Sequence, residues 1–212
     1  MKTLVAEGWR RGLDMVFMPQ ADPVYCRLGP DNAFWILGVD LDGRVATTQG
    51  GRLYDWTGSN MKREVESLRF FYDRPEDHTD EGCWCEMPEA ARQITGTAVH
   101  SGSMWVRPDL RGPSEDGIVL SQLLGKLTRA LGVALWNAAY VFTFSSLELN
   151  RRGVVANFGY DHYETPLRLK LPERPLYEAG LCWMTARSFV DWAATWTPED
   201  FMQQEARRRA RI

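Results

Sequence analysis

A short segment in the middle of the chain, WVRPDLRGPSEDG at 105–117, carries residues suited to binding an anion. Arg111 offers a planar fork of N–H donors that matches a phosphate group, and Gly112 lets the backbone approach a ligand closely. A strand-like run precedes the segment and a helical pattern follows it, so unpaired backbone N–H groups and the positive end of a helix dipole converge there. We therefore expect Arg111, Gly112 and Gly117 to face a phosphate, while Ser114 either donates to that phosphate or caps the helix.

The same segment has a second interpretation, in which it binds nothing. Arg111 would then pair with Asp109 or Glu115, and Gly112 would only turn the chain. Glu115 and Asp116 would repel a diphosphate unless they point away from it, and acidic residues in a first helical turn also stabilise the helix dipole by themselves. Neither G-x-G-x-x-G nor G-x-x-x-x-G-K-[ST] occurs, so dinucleotide and Walker-type nucleotide binding have no motif to support them.

The residues after this loop predict a helix and then a strand. The helix places several leucines on one face, which is expected to pack on a sheet: Leu120, Leu123, Leu124, Leu127 and Leu131. The run AYVFTF at 139–144 is apolar on both faces, which is typical of a central strand in a parallel pairing. Together with the strand before the loop, these elements predict a right-handed crossover.

The residues before the loop predict antiparallel structure. FWILGVDLDGRVATTQ at 34–49 is two apolar runs joined by Asp-Leu-Asp-Gly, which predicts a β-hairpin with Gly43 at a positive φ. NMKREVESLRFFYD at 60–73 predicts a short amphipathic helix, and the acidic, proline-bounded stretch 73–89 predicts a surface excursion. ITGTAV and GSMWV predict two strand segments that are broken at Ser101-Gly102.

The last third of the chain predicts a helix, two strands and terminal helices. Ser145 is expected to cap the helix, Glu148 to complete a capping box, and Gly159 to end it. HYETPLRLKL and AGLCWMTA are the two strands, and the arginine-rich end reads as a solvated helix.

The order of these elements predicts an α/β fold. Its sheet is mixed and mostly antiparallel, with one central parallel strand–helix–strand crossover and helices on both faces. The chain is expected to form a single domain over residues 1–212. Within it, 1–92 would hold the hairpin and first helices, 93–186 the cofactor-binding half, and 187–212 the C-terminal helices.

The run VRPDLRG at 106–112 resembles the end of the fourth strand in GNAT-type N-acyltransferases, which typically reads V-x-P-x-x-R-G. The likeness extends over 93–186, with Gly159-Tyr160 where that family has G-F or G-Y. It implies acyl-CoA as co-substrate and an amine, carried by a small molecule or a peptide, as acceptor. It also implies that the backbone of Trp105, Val106 and Arg107 pairs with the pantetheine arm of acyl-CoA.

The sequence departs from that family at two places. The family loop is R-G-x-G-x-G, whereas this chain has RGPSEDG. The positions where many members have a catalytic tyrosine and a cofactor-binding asparagine hold Val155 and Glu148. The resemblance therefore leaves Asn150 as a substitute cofactor contact and Tyr160, Tyr163 or Tyr140 as substitute proton donors.

Transfer of an acyl group to an amine also needs a deprotonated nitrogen. His100 lies just ahead of the VRPDLRG strand and has an ordinary pKa suited to a general base, so we name it as the candidate base. Three alternatives stay open: His100 is only a turn residue, the base is His162 or Glu164, which alternate on one face of a strand after Tyr160, or a neutral amine attacks without any protein base.

The resemblance admits two further functions. One is a long-chain N-acyl synthase of the autoinducer-synthase type, which would take its acyl group from CoA or from an acyl carrier protein. The other is a GNAT-like binding module without catalysis. Any self-association is expected to give a homodimer.

Composition narrows the other partners. The chain has 212 residues and a net charge of −3, so it has no long-range field for nucleic acid or an anionic membrane. It has no apolar run of spanning length and no secretory signal, from which we predict a cytoplasmic protein. Cys83 and Cys85 are separated by one residue, which is not a zinc spacing, so no metal is expected.

Overall fold

The computed structural model describes residues 18–79, 82–112, 119–172 and 174–196, and none of the helices there is long and apolar enough to cross a membrane. The strands are β1 (Ala33–Val39), β2 (Val45–Trp56), β3 (Trp84–Glu86), β4 (Gly96–Val106), β5 (Tyr140–Ser146), β6 (His162–Lys170) and β7 (Tyr177–Thr185). The helices are α1 (Met61–Glu66), α2 (Leu120–Trp136), α3 (Leu147–Arg151) and α4 (Ala186–Ala193).

All of these strands form one sheet in the order β1-β2-β4-β5-β7-β6-β3. β4 and β5 are parallel and are joined through α2, and the other pairs are antiparallel, which confirms the predicted fold class. Val99 and Val141 pack with Phe189 of α4 on one face, called the α2 face here. Ala98 and Phe142 pack with the core around α1 on the opposite face, called the α1 face.

The predicted hairpin is confirmed, and its turn is held by Asp40. The carboxylate of Asp40 accepts hydrogen bonds from the backbone N–H of Asp42 at 3.1 Å and of Arg44 at 2.8 Å. Gly43 has φ +75°, a conformation that costs glycine little and other residues more.

The predicted break within 94–106 is wrong, because β4 is one strand. Its irregularity lies at Ser103, which has φ +55°, and the register with β2 shifts between Thr48 and Gly50. A β-bulge of this kind bends the strand and increases its twist without ending the pairing.

The face of α2 that packs on the sheet differs from the predicted leucine face. Leu124 is buried as expected, but Leu127 and Leu131 are 42% and 40% exposed, whereas Arg129 is 1% exposed. The helix approaches β4 at Gly132, where an added Cβ would lie 2.7 Å from a methyl group of Val99. A close approach at a small residue turns part of the leucine stripe outward.

The region after β5 also departs from the prediction. Ser146, not Ser145, caps α3, and its side chain accepts a hydrogen bond from the N–H of Leu149 at 3.3 Å. The helix ends at Arg151, and Gly153 leaves helical geometry with φ +70°. The expected helix to Gly159 is therefore two short turns.

Two smaller differences concern the stretch before β4. The predicted helix over 60–73 is shorter, since α1 ends at Glu66 and Leu68 has φ +64°. The surface excursion contains a strand, because β3 pairs with β6 at the edge of the sheet. Three residues of mixed polarity give too little alternation to indicate a strand.

Candidate active site

The central feature of the site is a gap between β4 and β5. These strands pair only over Ala98–His100 and Tyr140–Phe142, although β4 runs on to Val106 and β5 to Ser146. Beyond that point β4 stays bound to β2 and β5 to β7. The backbone groups of both strands that point into the gap therefore have no strand partner there, and a ligand can accept and donate hydrogen bonds in their place.

Arg111 lies at the open end of the gap. The N–H of Arg107 donates to Ala46 of β2, so the carbonyl of Val106 in the same peptide unit points the other way, into the gap. Nε of Arg111 donates to that carbonyl at 2.9 Å. Within the described part of the chain, the terminal nitrogens of Arg111 have no hydrogen-bond or ion-pair partner.

The remaining residues of the predicted phosphate loop divide into two groups. Gly112 has φ +103°, which favours glycine, and a Cβ added there would meet no neighbouring atom within 4 Å among the described residues. Ser114 and Gly117 lie outside the described residues, and their contacts with phosphate stay predictions.

Arg107 and Trp105 fix the end of β4 with their side chains. Arg107 donates to Asp40 at 2.7 Å and to Asp109 at 2.8 Å, and these hydrogen bonds lower the pKa of both carboxyl groups. Asp109 is thus paired with Arg107, not with Arg111. Trp105 is buried against Val45, so only the backbone of these residues is placed to bind a ligand.

A buried polar network lies on the α2 face where the gap begins. Gln49 donates to the hydroxyl of Ser101 at 2.6 Å, and the side chain of Ser101 is hydrogen-bonded to the hydroxyl of Tyr160. Burial raises the pKa of Tyr160 to about 12, while the guanidinium of Arg129, 4.6 Å from the centre of the ring, acts in the opposite direction. Tyr160 is therefore protonated at physiological pH.

Unpaired hydroxyls line the β5 side of the same face. Ser145 and Tyr163 each have a buried hydroxyl without a hydrogen-bond partner among the described residues. The ring of Tyr163 on β6 covers Gly180 of β7, and Gly180 pairs with Ser145 on β5, the strand that borders the gap. Buried polar atoms of this kind are expected where a polar ligand binds. Asn150 is exposed on α3, which begins where β5 ends.

His100 lies on the α1 face, inside β4 and not in a turn. Its ring is 5.6 Å from Phe70, 5.2 Å from Phe142 and 5.6 Å from Phe144, measured between ring centres. Burial, and secondarily the charge of Arg52, lower its pKa to about 3. The imidazole is thus neutral at physiological pH and is a weak base.

The low pKa of His100 predicts a loss of stability in weak acid. Between about pH 6.5 and pH 3 the unfolded chain protonates this histidine and the folded chain does not, so stability falls as the pH falls. From pH 6.5 to 4.5 the free energy of unfolding, measured by urea unfolding, is expected to fall by about 2 kcal/mol through this histidine. His100→Gln should remove this part of the pH dependence, since the carboxyl groups contribute equally in both proteins. An unchanged pH dependence in the variant would contradict the assignment to His100.

Comparisons with known proteins concern the fold. No family model matches the chain, and no curated protein sequence matches it. One similar solved structure is a candidate acyl-CoA N-acyltransferase from Klebsiella pneumoniae, with 8% identity, coverage of 87% of this chain and 86% of that chain, and a TM-score of 0.43. A second is the polyamine N-acetyltransferase of Drosophila melanogaster that forms N-acetylagmatine, with 15% identity, coverage of 71% of this chain and 74% of that chain, and a TM-score of 0.45. A third is an aminoglycoside acetyltransferase in complex with coenzyme A and kanamycin, with 15% identity, coverage of 76% of this chain and 71% of that chain, and a TM-score of 0.34. These are acyltransferases of the GNAT type, the class that VRPDLRG resembles. Likeness at this level describes the path of the chain, and the chemistry depends on the gap and its side chains.

Proposed function

We propose that the protein is an N-acyltransferase that moves an acyl group from acyl-CoA to the amine of a small molecule. The observation that carries this proposal is the gap, in which two parallel strands separate after three residue pairs. An extended chain with amide groups, such as pantetheine, fits the unpaired backbone edges there.

The described residues supply suitable contacts for such a co-substrate. Arg111 at the open end matches the diphosphate, because its terminal nitrogens are charged donors that have no partner among the described residues. The hydroxyls of Ser145 and Tyr163 match the polar groups of the pantetheine arm, since both are buried and lack a partner within the described ranges. The narrow end, beside Ser101 and Tyr160, would hold the thioester.

In the reaction, the amine nitrogen bonds to the thioester carbonyl carbon, the carbon–sulfur bond breaks, and the sulfur receives a proton. Tyr160 donates that proton, and the resulting tyrosinate is stabilised by the Arg129 guanidinium. His100 is too weak a base to deprotonate an ammonium group, so the amine attacks in its neutral form. The positively charged nitrogen formed by the attack then loses one proton to water. Tyr160 regains a proton from water.

Binding of CoA tests the proposal. At 100 times its dissociation constant, CoA or acetyl-CoA should stabilise the protein by about 2.7 kcal/mol, measured as a rise in the thermal midpoint. Arg111→Ala should weaken binding at least about tenfold, because a charged hydrogen bond to phosphate is lost.

Arg187→Ala is the matched control, since Arg187 is exposed on α4 at the end of the sheet away from the mouth of the gap. It should leave binding unchanged. No stabilisation by CoA, acetyl-CoA or octanoyl-CoA would overturn the proposed function, and an undiminished shift in Arg111→Ala would overturn the phosphate contact.

A further inference from the structure

His100 and Phe144 place two rings across the narrow end of the gap, and the proposed reaction uses neither of them. His100 belongs to the last residue pair between β4 and β5, and Phe144 is the second residue after that pair on β5. Both side chains lie on the α1 face, with their ring centres 5.6 Å apart. Rings at about 4.5–7 Å are in contact. These two rings, called the His100–Phe144 bridge here, therefore join the strands where their backbones separate.

Fully buried rings pack behind the His100–Phe144 bridge. The ring centre of Phe70 lies 5.6 Å from that of His100 and 5.3 Å from that of Phe144. The corresponding distances of Phe142 are 5.2 Å and 5.8 Å. The ring of His100 also covers Gly102, where an added Cβ would lie 2.5 Å from it. Neither ring of the bridge can move away from the gap without displacing packed neighbours.

Packed groups also surround the narrow end in two other directions. Along the strands, β4 and β5 are hydrogen-bonded over Ala98–His100 and Tyr140–Phe142. On the α2 face, Val99 and Val141 are fully buried. The helix α2 comes so close to Val99 that a Cβ at Gly132 would overlap it. An acyl group that extends from a thioester at this end would meet the paired strands or this packed helix.

Polar groups disfavour an acyl chain on the part of the α2 face that borders the gap. The hydrogen-bonded side chains of Gln49 and Ser101 lie there beside Tyr160. The side-chain oxygen of Gln49 is buried and has no hydrogen-bond partner among the described residues. A methylene chain offers these groups no hydrogen bond. The apolar side of the narrow end is the α1 face, and the His100–Phe144 bridge closes it.

We infer that the His100–Phe144 bridge limits the length of the transferred acyl group, admitting short groups such as acetyl and excluding chains as long as octanoyl. The inference rests on the proposed function and adds the class of acyl donor. It makes Phe144 a specificity-determining residue. It also gives His100 a role that a weak base can fill, since a neutral imidazole packs among rings without a charge to solvate.

The test compares dissociation constants of free CoA, acetyl-CoA and octanoyl-CoA, measured by isothermal titration calorimetry on the full chain without an acceptor. The wild-type protein should bind octanoyl-CoA at least about tenfold more weakly than acetyl-CoA, because the chain must displace packed rings. Phe144→Ala should bind octanoyl-CoA at least about tenfold more tightly than the wild-type protein does, because the chain can occupy the space of the lost ring. Free CoA, which has no acyl group, should bind both proteins equally.

Trp84→Ala is the matched control, since it removes a half-exposed ring from β3, at the far edge of the sheet. It should leave the ratio of the two thioester affinities unchanged. Phe144→Leu, which keeps an apolar side chain in the cluster, should change that ratio in the same direction as Phe144→Ala but by less. This variant provides the comparison if Phe144→Ala does not fold.

Equal binding of acetyl-CoA and octanoyl-CoA by the wild-type protein would overturn the inference while the proposed function stands. So would a Phe144 variant that binds free CoA normally and gains no affinity for octanoyl-CoA. Absence of binding by free CoA and by both thioesters overturns the proposed function itself, and the acyl-length limit with it.

Discussion

Tyr160→Phe is expected to lower kcat by about 10²-fold or more while KM for acetyl-CoA stays within about twofold. The substitution removes one oxygen and keeps the ring under Arg129 and against the core of the α2 face. In the proposed reaction the substitution removes the proton donor for the leaving sulfur, which is needed only while the carbon–sulfur bond breaks. Steady-state rates of thiol release, with acetyl-CoA and amine varied in turn, give the two constants separately.

Tyr163→Phe provides the comparison, because its hydroxyl lies over Gly180, the residue that pairs with Ser145 of β5. It should raise KM for acetyl-CoA and change kcat little, the opposite pattern. If Tyr163→Phe lowers kcat and Tyr160→Phe does not, the proton donor is Tyr163 and the assignment made here is wrong.

Arg129→Ala is expected to reduce the free energy of unfolding by about 3–5 kcal/mol. Arg129 donates to the carbonyl of Gly125 at 3.0 Å and of Phe158 at 2.6 Å, and it contacts the sulfur of Met184 at 3.6 Å. Alanine would remove the side-chain donor to the carbonyl of Phe158, the contact with Met184 and the stacking beneath Tyr160, and it would leave a cavity there. Urea unfolding followed by tryptophan fluorescence measures the change.

Leu131→Ala on the same helix is the control for that experiment. Leu131 is 40% exposed, so its loss should cost less than about 1 kcal/mol. A larger effect at Leu131 than at Arg129 would mean that α2 packs through its leucines, as the sequence pattern predicts, and would contradict the packing of this helix.

The elements that follow local rules were predictable from the sequence. The hairpin at Gly43 and the strand–helix–strand order each depend on residues close together in the chain, so pattern and turn chemistry are sufficient. The packing face of α2 was not, because the partners that bury Arg129 include groups distant in the chain, such as the carbonyl of Phe158 and the sulfur of Met184. Periodicity alone assigns such a residue to solvent.

The site was predictable in part, for the same reason. VRPDLRG indicates where a strand edge and Arg111 meet, and Arg111 does lie at the mouth of the gap. The contributions of Gln49 and Ser145 could not be found, since their significance is a hydrogen bond made or missing after folding. The pKa of His100 likewise depends on burial among rings such as Phe70, supplied by a distant part of the chain.

The short parallel pairing has a mechanical consequence. Among the described strands, β1-β2-β4 are joined to β5-β7-β6-β3 through the three β4–β5 residue pairs, extended by one hydrogen bond from the N–H of Ala139 to the carbonyl of Thr97. In the proposed function, a ligand that hydrogen-bonds to both exposed strand edges would also hold the two groups of strands together. Product release would then require these hydrogen bonds to break.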